Sequence, residues 1–162
     1  MKTLSKTFCS IAFLFSSGSA LAQSEEGSWS YQYGESEGYH KLFFSRPHSD
    51  HGLLYFRCEP ESGWVFLSPE ETKPNLEYLI LQSGGNALIL PLLGETDEAT
   101  EEFYYDAALP TKHRVVSALM EGETLHIGAR GNSLGAKSRY YPVRTERERR
   151  SIRNFFLACG AN

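Results

Sequence analysis

Methionine is almost missing from this chain of 162 residues: Met1 and Met120 are the two, and cysteine occurs three times. No window of eighteen apolar residues exists in the sequence, which excludes an ordinary membrane-spanning helix. No C-x-x-C occurs, which argues against a redox-active dithiol. Neither an internal repeat nor a low-complexity tract is visible. The length is too short for two full-size domains, for most α/β-barrels or for a standard α/β-hydrolase. What is present is globular in character, with 41% hydrophobic, 22% charged and 13% aromatic residues. Abundant aromatics beside scarce methionine point to a β-rich core built on Phe, Tyr and Leu.

The start of the chain has the grammar of a secretory signal. Lys2 and Lys6 give a basic segment, Phe8 to Phe15 a short apolar run, and Ala20-Leu21-Ala22 a small-x-small cleavage site. We therefore expect residues 1–22 to be a signal peptide cut after Ala22. Residues 23–162 would then form a single domain in the periplasm, or beyond it if secretion is complete. Cys9 leaves with the signal, so Cys58 and Cys159 remain as an even pair in an oxidising compartment. A bond between them is expected, the alternative being two buried thiols.

Period-two patterning dominates the rest. Trp29, Tyr31 and Tyr33 share a face, as do Leu42 with Phe44, and Leu54, Phe56 and Cys58. Further strands are read at 63–68, 76–82, 87–92, 101–107, 125–129 and 139–143, with a hairpin turn at Ser83-Gly84-Gly85-Asn86. About nine short strands predict a mainly β fold, an antiparallel barrel or sandwich. Residues 24–28 read as a flexible lead-in. Two helices interrupt the pattern. One spans 111–120 and ends at Gly122. The other opens on the capping box Thr145-x-x-Glu148 and carries Ile152, Phe155, Phe156 and Cys159 on one face, with Gly160 as its stop.

Charge is segregated along the chain. Residues 23–111 hold 4 basic and 16 acidic side chains, whereas 112–162 hold 10 basic and 4 acidic. Arg147, Arg149 and Arg150 lie off the apolar stripe of the last helix and are the candidate partner-binding residues, suited to an acidic partner. Nucleic acid is a poor match, because the domain is acidic overall and carries no groove-reading motif.

Three clusters are candidates for chemistry. Gly131-Asn132-Ser133-Leu134-Gly135 has the form of a nucleophile elbow. No His or Asp follows Ser133, however, so the triad order fails and a polar hairpin loop is the plainer reading. His48, Asp50 and His51 could contribute to a Zn²⁺ or Cu²⁺ site only if another histidine joined them; otherwise they form a turn. Glu95, Asp97, Glu98, Glu101 and Glu102 lack the alternating oxygen ligands and Gly of a calcium loop, and read as a solvated segment. No metal or cofactor is called for.

The order of Val115 to Ile127, then Tyr141-Pro142-Val143, then Ile152 to Phe156, resembles the C-terminal part of the invasion-associated locus B family of small periplasmic proteins. It covers about a third of the chain and carries over no site residue. Of that family's N-terminal cysteine pattern only Cys58 is present. The resemblance implies a periplasmic, non-enzymatic β-protein. A fainter likeness, to periplasmic lysozyme inhibitors, rests on β-richness, one disulfide and a Ser/Lys loop. The expected function is therefore non-enzymatic binding of a protein or envelope component. The rival is a small hydrolase or metal-binding protein using Ser133 or the His48/Asp50/His51 loop.

Overall fold

The structure is a computed structural model that describes residues 23–24, 26–48, 52–69, 76–96, 103–131 and 138–162. The signal-peptide reading falls on residues 1–22 and lies outside them. Eleven strands are described. β1 (Gln23–Ser24), β11 (Ser138–Tyr141), β10 (Leu125–Gly131), β6 (Leu76–Ser83) and β7 (Asn86–Pro91) form one sheet in that order. β2 (Ser28–Gly34), β3 (Tyr39–Ser45), β4 (Gly52–Cys58), β5 (Trp64–Pro69), β9 (Phe103–Pro110) and β8 (Leu93–Thr96) form the other. Ten of these strands pair antiparallel, and β1 alone lies parallel to its neighbour. The mainly β, sandwich-like class expected from the sequence is therefore observed, with helices α1 (Arg114–Met120) and α2 (Glu146–Ala158) completing it.

The alternation read from the sequence sets the inward faces. Trp29, Leu42, Phe44, Leu54, Phe56, Val65, Leu67, Ala107 and Leu109 come from the six-stranded sheet. Leu79, Leu81, Leu90, Leu125, Ile127 and Tyr141 come from the five-stranded one, and all join a single cluster with both helices. Trp29 marks the seam, with its ring 5.2 Å from Phe44 and 6.4 Å from Tyr141 of the opposite sheet. Its indole N–H donates to the Pro142 carbonyl at 3.1 Å, so the ring is buried without stranding its polar atom.

Some boundaries differ from the sequence reading. Gln23–Ser24 is bridged to Arg139–Tyr140, and Ser28 already belongs to β2, so a lead-in spanning 24–28 is not what forms. The strand placed at 101–107 is described as Phe103–Pro110. The helix placed at 111–120 begins only at Arg114. Thr111 is engaged elsewhere, its backbone N–H and its hydroxyl both donating to the Gly63 carbonyl at 3.0 Å. His113 takes over as N-cap, Nδ1 accepting from Val115 N at 3.2 Å. Glu95 lies in β8 rather than in a loop, paired with Tyr104; Asp97, Glu98, Glu101 and Glu102 lie outside the described residues.

Candidate functional site

Helix α2 is held at both ends and along one side. At its start the Thr145 hydroxyl accepts from Glu148 N at 3.2 Å, and Glu148 Oε2 accepts from Thr145 N at 2.8 Å, completing the capping box. The same carboxylate also accepts from Arg144 N at 2.8 Å, and its other oxygen reaches Trp29 N at 3.3 Å. At the far end Gly160, at φ +91°, turns the chain into a Schellman motif, with Ala161 N donating to Phe156 O and Gly160 N to Leu157 O. The last carbonyls are taken by the β4–β5 turn, Glu61 N donating to Ala158 O and Gly63 N to Cys159 O, each at 2.9 Å. A Cβ at Gly160 would crowd the Glu61 and Gly63 backbone at 3.3 Å, and φ +91° is strained for any L side chain.

The disulfide forms as expected, Cys58 of β4 to Cys159 at the end of α2, Cα–Cα 5.8 Å, closing a separation of 101 residues. Ile152, Phe155 and Phe156 are fully buried beside it, with Phe155 and Phe156 edge-on to Phe56 of β4. Each of the three is worth roughly 1.5–3 kcal/mol when so buried.

This clamping fixes what α2 shows to solvent. Arg147, Arg149, Arg150 and Arg153 are all exposed. Glu146 pairs with Arg149. The hydrogen bond from Arg149, then the charges of Arg149, Arg150 and Arg153, hold the Glu146 carboxyl below the usual carboxylate range. The helix's other acid, Glu148, is buried and turned toward backbone N–H groups. The outward face therefore has four guanidiniums against one carboxylate.

Of the candidate chemical clusters, Ser133, Asp50 and His51 lie outside the described residues. His48 is exposed, with a left-handed backbone at φ +62°. Among the described residues no group of three His, Cys, Asp or Glu side chains is placed to hold a metal. The remaining histidines are placed by packing or capping. His40 Nδ1 is 2.9 Å from the Tyr31 hydroxyl and its ring 4.7 Å from Tyr33. The His126 ring meets Tyr140 at 4.0 Å. Burial lowers the pKa of both His40 and His126. His126 also borders a polar cleft of about 450 Å³ with Gln82, Asn86, Glu123 and Thr124.

A second surface was missed by the sequence reading. On the six-stranded sheet, the side of β4 that carries Tyr55 and Arg57 faces away from α2 and the core. Phe43 stacks on Tyr55 at 5.1 Å, Lys41 sits 4.8 Å over Tyr39, and Arg57 sits 5.8 Å over Phe66. Trp64 and Phe66 are 52% and 42% exposed. The signal was present: Leu42-Phe43-Phe44 and Trp64-Val65-Phe66-Leu67 are continuous apolar runs, which place hydrophobic side chains on both faces of a strand.

No protein-family model matches the chain, and no match is found among curated proteins or solved structures. No helix among the described residues is long and apolar enough to cross a membrane.

Proposed function

We propose that the protein is a periplasmic, non-enzymatic binding protein that engages an acidic protein or envelope component through the outward face of α2. The observation that carries this reading is the contrast between the two sides of one helix. The inner side is fixed by a disulfide, a buried capping box and three fully buried side chains. The outer side keeps Arg147, Arg149 and Arg150 in solvent, with Arg153 alongside. A rigid element presenting excess positive charge loses little conformational freedom on docking and steers an acidic partner toward it. The disulfide agrees with an oxidising compartment. The order α1, Gly122, β10, β11, α2 is also the order on which the resemblance to the invasion-associated locus B family rests.

The experiment is affinity capture from an envelope extract, comparing the protein with its Arg147→Glu/Arg149→Glu/Arg150→Glu variant. The reading expects an acidic partner retained by the first and lost by the second. The hydrolase alternative is tested in parallel with ester, peptide and glycan substrates. Turnover abolished by Ser133→Ala would replace the binding reading.

A further inference from the structure

We propose that the outer aromatic face of the six-stranded sheet is a binding platform for an uncharged, β-linked oligosaccharide chain, seated on Trp64 and Phe66 beside Arg57. This surface is separate from α2 and does not depend on the reading given above. Cross-strand register assembles it. Phe43 lies opposite Tyr55, Lys41 opposite Arg57, and Arg57 opposite Phe66, while Trp64 precedes Phe66 by two residues on the same side of β5. At about 3.4 Å per residue that offset spaces the two exposed rings by about 7 Å along the strand. Near them Tyr39, Arg57, Glu59 and Phe66 border a cleft of about 230 Å³. That is below the roughly 300–1,000 Å³ of pockets for drug-sized ligands and suits one sugar ring, with the rest of a chain lying across the flat face.

Charge turns an anionic occupant away. Arg57 pairs with Asp106 at 2.9 Å, Ser68 donates to the other Asp106 oxygen at 2.5 Å, and Lys41 pairs with Glu37. These two cations are thus matched by two carboxylates, and Glu59 adds a further carboxylate at the cleft, so the face has no excess positive charge to hold an anionic ligand. The matched groups keep hydrogen-bonding capacity, since a guanidinium has five N–H donors and a carboxylate oxygen accepts more than one bond. Sugar hydroxyls both donate and accept, so such pairs suit them. A β-linked pyranose with equatorial substituents turns its axial C–H groups to the ring faces, where they meet the negative π-face of an aromatic side chain.

The aromatic area is small for the apolar centre of a protein interface. With Trp64 and Phe66 about half open, Tyr39, Phe43 and Tyr55 half-buried, and about 150–250 Å² per aromatic ring, the rings of the patch offer roughly 300 Å². A stable protein interface buries about 800 Å² per partner, whereas a patch of a few hundred Å² is the scale of a functional site on a monomer.

The chain's two tryptophans make the test direct, because Trp29 is 4% exposed and Trp64 is 52% exposed. Titration of the purified protein with chitohexaose and with cellohexaose should give, for at least one of them, a saturable change in tryptophan emission. Trp64→Phe should remove that change. Binding by calorimetry should be unaffected by salt between about 50 and 500 mM. Trp64→Ala and Phe66→Ala should each weaken it about tenfold with the melting temperature retained, and the α2 arginine variant should bind normally. Any of four results would overturn the proposal: no saturable change with either sugar up to about 10 mM; affinity unaltered in both alanine variants; tighter, salt-sensitive binding of an anionic oligosaccharide; or a dimer in sedimentation that Trp64→Ala dissolves, which would assign the face to a second copy.

Discussion

Glu148 and Trp29, 119 residues apart, are joined by a hydrogen bond from the Trp29 backbone N–H to the buried Glu148 carboxylate at 3.3 Å. The capping box of α2 is thus also a tertiary bond to the start of β2. One carboxylate serves Trp29, Arg144 and Thr145 backbone donors together. Helix start, strand start and the tryptophan at the sheet seam are fixed by the same group.

Removing that carboxylate strands several donors at once. Glu148→Ala should destabilise the protein by about 3 kcal/mol, since each buried donor left unpaired costs about 1–3 kcal/mol and some will find water. Thr145→Ala, which removes the local cap alone, should cost about 1 kcal/mol. Glu148→Gln should fall between them, because its amide nitrogen must face a donor whichever way it turns. Urea unfolding of the three variants measures the order.

The disulfide should resist alkylation in the native protein and protect α2 from opening. The chain-entropy model assigns about 4–5 kcal/mol to a loop this long, with measured values often smaller. Cys159→Ser should raise hydrogen exchange first in α2 and the 59–63 turn, whose N–H groups bond the helix's last carbonyls. Two alkylatable thiols in the untreated native protein would contradict the pairing.

Stability should fall as pH drops through and below the unfolded histidine value of about 6.5. His40 and His126 have folded pKa values below the unfolded value of about 6.5. The unfolded chain therefore binds more protons in this window, so their contribution is present above the unfolded pKa and lost as pH falls below it. Glu37 and Glu146 are also lowered, but from about 4.5, so their contribution disappears only in more acidic solution. His40→Gln with His126→Gln should flatten the profile just below about pH 6.5 and leave the fall produced by the carboxylates in place. Denaturant midpoints across pH check both parts.

The fold was legible where one face of an element is apolar and the other polar. Ile152, Phe155, Phe156 and Cys159 fixed the inward side of α2, and Trp29, Leu42, Phe56 and Cys58 fixed the inward side of the large sheet. Legibility failed where a side chain serves a distant partner. Thr111 reads as a helix starter, but its bonds to Gly63 come from a turn 48 residues earlier. Glu148 reads as a local cap and nothing in its spacing announces Trp29. The outer aromatic face is legible only as continuous apolar runs such as Trp64-Val65-Phe66-Leu67, which put apolar side chains on both faces of a strand without telling which face is covered. The arginine face, by contrast, follows from helical phase alone.

The most direct measurement of the binding account is the association rate of the captured partner as a function of salt, for the protein and for its Arg147→Glu/Arg149→Glu/Arg150→Glu variant. The substituted positions are exposed and lie in the first turns of α2, where acidic residues suit the helix dipole, so the variant should fold normally. For the unaltered protein the rate should fall steeply as salt shortens the screening length toward about 8 Å at physiological ionic strength. The variant should associate slowly at low salt and respond weakly or in the opposite sense. Equal rates for the two proteins across all salt concentrations would contradict the account.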